Sequence, residues 1–280
     1  MIVIYTFDFK KGTSISEMKF QYIMLVISIQ SILDCKKGHD VCIKIYTNDK
    51  DVERYITRQF DKSIDIIISG EKSRICDNGW FTCAGHKRID ALTEFHKIDD
   101  ILYVDNDTIF HPNFFKHIKS YKHPTLYMKE LWNNLALWCY RHHKTASLFN
   151  YIEENYLSNS RYIDALLPVL NNGVIYLPKT RESELWIKGV SGTYNDLVKN
   201  CGYSYGLDQT SMAITNHLLN VHSVFCVNEK MNETVYHFCY NKGEYRQKIS
   251  DSGMEILDNF TTNSDFVMVY NKIFGLTKRI

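Results

Sequence analysis

Two carboxylates stand one residue apart at the end of an apolar run. In "ILYVDNDTIF", residues 101–110, the run leads directly into Asp105 and Asp107 without a turn glycine or proline. Residues i and i+2 of an extended strand point to the same side, so both carboxylates should reach one point in space. Carboxylates that close repel unless a cation separates them, and hard divalent ions prefer oxygen ligands. The spacing therefore predicts a divalent metal site that leaves positions for substrate phosphates.

Other interpretations of the acidic pair and of nearby residues are weaker. Solvated turn aspartates are the main alternative, but the buried strand expected before the pair fixes both residues at the strand's exit. A calcium loop is excluded, because Ile109 and Phe110 replace a third oxygen ligand and the turn glycine. A zinc site from Cys76, Cys83 and His86 has a spacing unlike known ligand patterns. Two carboxylates on one strand are also poorly placed to flank a glycosidic bond, which disfavours a glycosidase.

The first 110 residues alternate between strand-like and helix-like segments. Strands are predicted at the start of the chain and at 41–49, 63–69 and 100–107, and helices at 20–33, 51–60 and 84–98. Such alternation indicates βαβ units and a parallel sheet. The helix over 20–33 is too short to cross a bilayer and follows a capping box, Ser14-x-x-Glu17.

Polar residues follow the predicted strands. In parallel sheets, ligands bind beyond the carboxyl ends of the strands. The polar residues expected there are Thr6, Asp8, Thr47, Asn48, Asp49, Asp105 and Asp107. The second half is less regular, with a strand predicted within 167–180, a helix within 206–219 and a short strand at 224–228. No repeat or linker is evident, which indicates one compact unit.

Composition narrows the partners and the compartment. The 33 basic and 32 acidic residues nearly cancel, so nucleic acid is not an expected partner and any anionic ligand needs a local site. The sequence lacks the pattern of a signal peptide, and a glycan on the sequon at Asn106 would block the carboxylates. Further sequons begin at Asn232 and Asn259. These features predict an intracellular, cytoplasmic protein whose eight cysteines, without a CxxC pair, are reduced thiols.

The motifs in this order resemble nucleotide-sugar glycosyltransferases of the GT-A fold, of the family 8 type that includes glycogenin and lipopolysaccharide galactosyltransferases. "ILYVDNDTIF" is similar to the family's metal motif. "GHKRIDALTEF" places Arg88 seventeen residues before Asp105, at the family's donor-contacting arginine. "LNNGVIYL" is similar to the family's Phe-Asn-Ala-Gly-Val segment, with Asn171 on its asparagine. "LDQTSMA" resembles the Asp-Gln-Asp segment, with Asp208 and Gln209 aligned.

The late motif departs from the family. "YHFCYNKG" resembles His-Tyr-x-Gly-x-x-Lys-Pro-Trp and places His237 on the third metal ligand. Tyr240 replaces a glycine, the Lys-Pro-Trp is absent, and Lys242 falls one position early. Arg246 and Lys248 are therefore further candidates for the phosphate contact.

The resemblance implies an α/β protein with the GT-A (Rossmann-like) fold, whose mixed, mainly parallel sheet is flanked by helices. It implies a single domain, residues 1–280, with a nucleotide-sugar-binding half over 1–110 and an acceptor-side half over 111–280. The implied enzyme is a hexosyltransferase that moves a sugar from a nucleotide diphosphate sugar, UDP-linked by expectation, to a hydroxyl acceptor. Retention of anomeric configuration is also implied. The inverting alternative, with Asp208 as general base, stays open.

The resemblance also assigns roles to residues. Asp105, Asp107 and His237 would hold Mn²⁺ or Mg²⁺, Asp208 would bind sugar hydroxyls, and Gln209 would lie beneath the anomeric carbon. The other residues expected to contact the donor are Thr6, Asp8, Asp49, Arg88, Asn106, Asn171 and Lys242.

Two rival functions and the acceptor stay open. A sugar nucleotidyltransferase needs a glycine-rich basic loop after its first strand, and "FDFKKGTSIS" has one glycine. A non-catalytic scaffold binding glycans or nucleotide sugars on the same fold would be expected to have lost a metal ligand. The acceptor hydroxyl is expected on a glycan, a protein or a lipid-linked sugar. Aromatic residues in 129–144 could stack on it, although their spacing favours the core. Homo-oligomers and peripheral membrane association are left open, and a packed strand or helix is expected at 265–280.

Overall fold

The structure is a computed structural model. It describes residues 1–7, 13–36, 38–47, 52–53, 56, 60, 64–68, 80–118, 120–126, 131–132, 134–143, 146–157, 167–204, 206–219, 226–227, 234–237, 243 and 247. The strands are β1 (Ile2–Thr6), β2 (Cys42–Thr47), β3 (Ile64–Ile68), β4 (Ile101–Val104), β5 (Thr108–Phe110), β6 (Thr125–Leu126), β7 (Leu131–Trp132), β8 (Val169–Leu170), β9 (Val174–Leu177), β10 (Cys226–Val227) and β11 (Val235–His237). The helices are α1 (Ile15–Cys35), α2 (Trp80–Phe95), α3 (Phe114–Ile118), α4 (Leu135–His143), α5 (Ala146–Tyr156), α6 (Arg181–Cys201) and α7 (Leu207–Leu218).

A seven-stranded mixed sheet organises the described residues. Its order is β10-β6-β9-β4-β1-β2-β3. β1 pairs in parallel with β2 and β4, β2 with β3, and β6 with β10. β9 runs antiparallel between β4 and β6. The expected mixed, mainly parallel sheet is therefore confirmed, and it brings the carboxyl ends of β1, β2 and β4 to one edge.

Two apolar cores cover the two faces of the sheet. Side chains alternate along β1, so Val3 and Tyr5 pack with α1 while Ile2 and Ile4 pack with α2, α6 and α7. β4 alternates in the same way. A strand buried on both faces explains why its sequence is a continuous apolar run rather than an alternating one. This arrangement confirms that helices flank the sheet on both sides.

Helix α1 begins where the capping signal predicts. Ser14 is the N-cap, and its Oγ accepts a hydrogen bond of 3.2 Å from the backbone N–H of Glu17. The helix continues to Cys35 and so exceeds the apolar run over 20–33 at both ends. In the part of the chain that the structure describes, no helix combines the length and the apolarity that a membrane crossing requires.

Several expectations fall partly or wholly outside the described residues. The helix over 51–60 is described at 52, 53 and 56, and the strand expected at 224–228 is present as β10. The segment 265–280 and the sequons at Asn232 and Asn259 lie outside, as do Cys76 and the side chain of Cys83. Four of the eight cysteines are described as thiols outside any disulfide: Cys35, Cys42, Cys139 and Cys201. Burial raises the pKa of the Cys139 thiol to about 12, so it is an inert core residue.

Candidate functional site

The two carboxylates flank a turn at the end of β4. β4 ends at Val104, Asn106 and Asp107 lie in a turn, and β5 begins at Thr108. The prediction that the pair lies on one extended strand is therefore wrong. The turn is closed by the Thr108 hydroxyl, which donates to the backbone oxygen of Asp105 over 2.8 Å. Both carboxylates nevertheless reach a common point, because the turn folds the chain back on itself.

Strand pairing delivers the third predicted ligand to this turn. β11 pairs antiparallel with β5, and His237 lies opposite Thr108. The His237 Nε2 atom is 3.1 Å from Asp107 Oδ1 and 3.8 Å from Asp105 Oδ2. Asp107 and His237 are buried, whereas Asp105 is half-buried. One ligand atom from each residue thus lies within 4.8 Å of the other two.

This donor set suits a hard divalent cation. In an octahedral site with metal–ligand bonds of about 2.1 Å, adjacent ligand atoms are about 3 Å apart. The separation of 3.1 Å between His237 Nε2 and Asp107 Oδ1 agrees with that value. Two carboxylates repel each other at this range unless a positive charge compensates them. The residues therefore fit a hard divalent cation, such as the Mn²⁺ or Mg²⁺ that the resemblance implies, with positions left for other oxygen ligands.

A buried chain of hydroxyls supports the turn from behind. Tyr5 Oη lies 2.9 Å from Ser28 Oγ, which lies 3.0 Å from Thr108 Oγ1. Burial raises the pKa of Tyr5, against a smaller opposing effect of its bond to Ser28. The phenol therefore stays protonated and can supply a hydrogen to this chain. Through it, helix α1 fixes the turn that carries both aspartates.

Arg88 on α2 connects the acidic turn to the second half of the chain. Its Nη2 donates to Asp105 Oδ1 over 2.8 Å, and its Nη1 donates to Asp208 Oδ2 over 2.5 Å. Burial lowers the pKa of Arg88, but electrostatic interactions with Tyr103, Asp105 and Asp208 outweigh this effect, and the pKa is raised. The guanidinium remains a buried cation held between two carboxylates.

Tyr103 is a site residue that the sequence interpretation missed. Its ring lies under the guanidinium of Arg88, 4.5 Å from ring centroid to Cζ. Its hydroxyl donates to Asp105 Oδ1 over 3.0 Å and lies 2.8 Å from Thr6 Oγ1. Asp105 Oδ1 is thus held by Tyr103 and Arg88, while Oδ2 faces His237. A usable signal was present, because Tyr103 lies two residues before Asp105, and on the strand predicted over both residues the two side chains would point to the same side.

Asp208 lies at the head of α7 and contacts α2. The side chain is buried, and its Oδ2 accepts hydrogen bonds from Arg88 and from Asn172. Its Oδ1 makes no hydrogen bond with any residue that the structure describes. This approach requires Gly85 on α2, because a Cβ there would lie 2.9 Å from Asp208 Cγ. Gly85 precedes Arg88 by one helical turn, and the sequence interpretation missed it as well.

The turn between β8 and β9 packs against two of the predicted metal ligands, Asp105 and His237. Asn171 Oδ1 accepts a hydrogen bond of 2.7 Å from the backbone N–H of Gly173. The Gly173 carbonyl in turn accepts one of 2.7 Å from the backbone N–H of Asp105. A Cβ at Gly173 would lie 2.8 Å from both Asp105 Oδ2 and His237 Nε2. Only glycine leaves those two atoms in place.

Replacement of Gly173 by alanine is expected to lower metal-dependent activity at least about tenfold. The new methyl group would displace Asp105 and His237, and a displacement of about 1 Å in an active site can lower the rate by about 100-fold. Divalent-ion binding should weaken in parallel, measured by the metal concentration that gives half-maximal stabilisation in a thermal unfolding assay. Gly192→Ala is the matched control. A Cβ at this α6 position meets nothing within 4 Å, so activity should persist and stability should rise by up to about 1 kcal/mol. Normal metal binding by the Gly173→Ala protein would contradict the prediction.

The remaining predicted residues divide into those that the structure describes and those outside it. Asn106 is half-buried in the turn, and Thr6 lies beside Tyr103. The positions outside the described residues are Asp8, Asn48, Asp49, Lys242, Arg246 and Lys248. In the aromatic segment, Trp138 is buried, as the core interpretation expects, and its Nε1 donates to Thr210. Tyr140 is exposed, and the side chain of Trp132 lies outside the description.

Comparisons with known proteins return structural similarities alone. No protein-family model matches the sequence, and no curated protein matches it. A galactosyltransferase, LgtC, solved with donor and acceptor sugar analogs, shares 12% identity over 81% of this chain and 73% of its own, with a TM-score of 0.48. Mouse xyloside xylosyltransferase 1 shares 12% identity over 81% of this chain and 84% of its own, with a TM-score of 0.47. GlyE of Streptococcus pneumoniae shares 12% identity over 92% of this chain and 51% of its own, with a TM-score of 0.42.

These similar structures are glycosyltransferases, the class that the sequence resemblance indicates. At 12% identity and TM-scores below 0.5, they say nothing about the substrates of this chain. The chemistry has to be inferred from the side chains of the site.

Proposed function

We propose that this protein is a glycosyltransferase that moves a sugar from a nucleotide diphosphate sugar to a hydroxyl acceptor with the help of a divalent cation. The supporting observation is the convergence of Asp105, Asp107 and His237 on one point, beside the buried Arg88–Asp208 ion pair. A metal centre next to a carboxylate that can bind sugar hydroxyls suits a substrate with both a diphosphate and a sugar.

The three ligands have the chemistry that the diphosphate end requires. Asp105 Oδ2, Asp107 Oδ1 and His237 Nε2 would hold the cation, while Arg88 and Tyr103 fix the other oxygen of Asp105. When bound, Mn²⁺ or Mg²⁺ supplies charge compensation for the leaving diphosphate. The turn and the β5–β11 pair keep the ligand atoms in place before substrate arrives. Binding therefore does not carry the entropic cost of ordering these side chains.

The sugar end of the donor is assigned to the head of α7. Asp208 Oδ2 is occupied by Arg88 and Asn172, which leaves Oδ1 to accept hydrogen bonds from sugar hydroxyls. Arg88 pairs with Asp208 and orients its carboxylate, and through its second contact, to Asp105, it connects the acidic turn to α7. In this proposal, the arginine sets the distance between the diphosphate end and the sugar end of the donor.

Gln209 is proposed to stabilise the reacting carbon. Glycosyl transfer passes through a cationic, oxocarbenium-like state, and an amide oxygen beneath the anomeric carbon lowers its energy. Gln209 is half-buried, and its Oε1 makes no hydrogen bond with a described residue. In this proposal Asp208 binds sugar hydroxyls through Oδ1 and does not act as general base. We favour retention over inversion because the family resemblance implies it.

The other donor contacts remain proposals. Thr6, Asp8, Asp49 and Asn106 are assigned to the base and ribose side of the donor. Asn171 and Lys242 are assigned to further contacts with the donor, with Lys242 at its phosphates. A UDP-linked sugar as donor and a hydroxyl on a glycan, a protein or a lipid-linked sugar as acceptor complete the proposal.

The experiment that tests this proposal is release of nucleotide by the purified protein. UDP-, GDP- and other sugar donors would be screened with Mn²⁺, with Mg²⁺ and with a chelator. We expect release from one donor class that stops when the cation is chelated and returns when it is restored. With an acceptor in hand, the anomeric configuration of the product, read by proton NMR, should be retained.

Two other outcomes would contradict the proposal. Metal-dependent binding of a nucleotide sugar without release, in the presence of a broad acceptor panel, would instead favour a non-catalytic scaffold. Release of pyrophosphate from a nucleoside triphosphate and a sugar phosphate would favour a nucleotidyltransferase. Calorimetry and product chromatography on the same samples separate these results.

A further inference from the structure

Asn172 lies between the two α7 residues that the proposed function uses. It follows Asn171 in the β8–β9 turn and takes the place of alanine in the family segment that "LNNGVIYL" resembles. The side chain is buried, with 2% of the residue exposed. Its Nδ2 donates to Asp208 Oδ2 over 3.1 Å and to Met212 Sδ over 3.3 Å. Its Oδ1 accepts a hydrogen bond of 3.1 Å from Gln209 Nε2.

The chemistry of these groups determines which way each amide faces. An ionised carboxylate can only accept hydrogen bonds, so the Asn172 side chain must present its NH₂ group to Asp208. Its carbonyl oxygen is then the atom that meets Gln209. A carbonyl oxygen cannot donate, so Gln209 must present its own NH₂ group to Asn172. The carboxylate of Asp208 thereby fixes the direction of two successive amides.

Without Asn172, the orientation of the Gln209 amide would lose this constraint. The two ends of a glutamine amide have nearly the same shape, and a flip exchanges a partially negative oxygen for a partially positive NH₂ group. Stabilisation of a developing cation depends on which end faces it, because a preorganised dipole aimed the wrong way is repulsive. Arg88 also donates to Asp208 Oδ2, so the carboxylate that anchors this chain of hydrogen bonds is itself fixed.

We propose that Asn172 is a positioning residue that sets the polarity of the Gln209 amide, with Oε1 directed at the anomeric carbon of the donor sugar. This inference rests on the proposed function. It assigns to a residue in the β8–β9 turn a role in the chemical step, exerted through Gln209 and without contact with substrate. Loss of the residue should therefore lower kcat while KM for the donor changes little.

A double-mutant cycle tests the proposal. Wild type, Asn172→Ala, Gln209→Ala and the double variant would be compared for kcat and for KM of the donor. We expect Asn172→Ala to lower kcat at least about tenfold in the wild-type background, with less than about a threefold change in KM. In the Gln209→Ala background the same substitution should lower kcat by less than about twofold, because the group it orients is gone.

The control is Asn200→Ala on α6. Asn200 Nδ2 also donates to a carboxylate, Asp196 Oδ1, over 3.0 Å, but it is exposed and makes no contact with the site residues described above. Its removal should leave kcat unchanged. The melting temperature of every variant shows whether a loss of kcat comes from unfolding of the protein or from a changed orientation of the Gln209 amide. If Asn172→Ala proves too unstable to purify, Asn172→Leu fills a similar volume without polar atoms and replaces it in the cycle.

The outcomes separate the inference from the function on which it rests. Equal losses of kcat from Asn172→Ala in both backgrounds, with nucleotide release by wild type intact, would overturn the positioning role and leave the proposed function standing. A loss expressed in KM alone would also overturn it. A wild-type protein that releases nucleotide from no donor would contradict both. Non-multiplicative losses confined to kcat would support the inference.

Discussion

Replacement of Asp107 by asparagine is expected to reduce metal-dependent nucleotide release by more than about 100-fold. Loss of a residue that only hydrogen-bonds to a metal ligand already lowers metal affinity or activity by about 10–100-fold, and loss of a ligand itself should lower it further. Asparagine has nearly the same shape, so it removes a charge from the site without opening a cavity. The carboxylate lies 3.1 Å from His237 and is buried, so water is poorly placed to substitute for it. Release would be measured at saturating donor across a range of Mn²⁺ concentrations.

Thermal unfolding gives this prediction a second readout. Mn²⁺ should raise the melting temperature of the wild type, since a ligand that binds only the folded state stabilises it by RT ln(1 + [L]/Kd). The same ion should stabilise the variant much less. Without metal, the variant should melt at or above the wild-type temperature, because one of two neighbouring negative charges is gone. Asp34→Asn, at an exposed carboxylate near the end of α1, is the charge-matched control. An active Asp107→Asn protein with an unchanged metal response would contradict the assignment.

Replacement of Arg88 by alanine is expected to lower the free energy of unfolding by about 3–5 kcal/mol, the usual result of removing one partner of a buried ion pair. The side chains of Arg88 and Asp208 are each only 8% exposed, so Asp208 would be left as a buried charge with its cation gone. Asp105 and the ring of Tyr103 would lose the same partner. Denaturant unfolding measures the loss. Nucleotide release should also fall sharply, because both ends of the proposed donor site move.

Two further substitutions identify the cause. Arg88→Lys keeps the charge but cannot form the two-armed contact to both carboxylates, so it should restore only part of the stability and little of the activity. Arg181→Ala, at the exposed first residue of α6, should change stability by no more than about 0.5 kcal/mol. A loss below about 1 kcal/mol for Arg88→Ala would show that the pair is better solvated than its burial implies.

Local patterns in the sequence predicted the scaffold of the site well. The apolar runs correspond to β1, β2, β3 and β4, and the described polar residues at the ends of these runs, Thr6, Thr47, Asp105 and Asp107, lie at the edge where the parallel strands end. The capping signal at Ser14 is confirmed by its hydrogen bond. These features depend on periodicity and on residues three or four apart, so they can be read without knowing the fold. The turn between Asp105 and Asp107 was missed because neither glycine nor proline marks it.

The candidate site was predicted as a set of residues, with His237 and Arg88 assigned through the resemblance. The contacts between these residues could not be predicted from the sequence. Arg88 meets Asp208 from 120 positions away, and His237 meets Asp107 from 130. No spacing rule reaches so far, because such contacts follow from strand order and helix packing.

The amino-acid pattern alone therefore predicted the type of chemistry, two carboxylates for a hard cation, since ligand preference is a property of side chains, and the resemblance added the imidazole of His237. The tertiary structure determines which contact each of their atoms makes. One oxygen of Asp105 is bound by Arg88 and Tyr103, which leaves the other for the proposed metal site. Gly173 is required because a Cβ there would clash with Asp105 and His237. Asn172 gains a role because a turn places it between Asp208 and Gln209. Each of these depends on distances of about 3 Å between distant parts of the chain, which only the packed structure fixes.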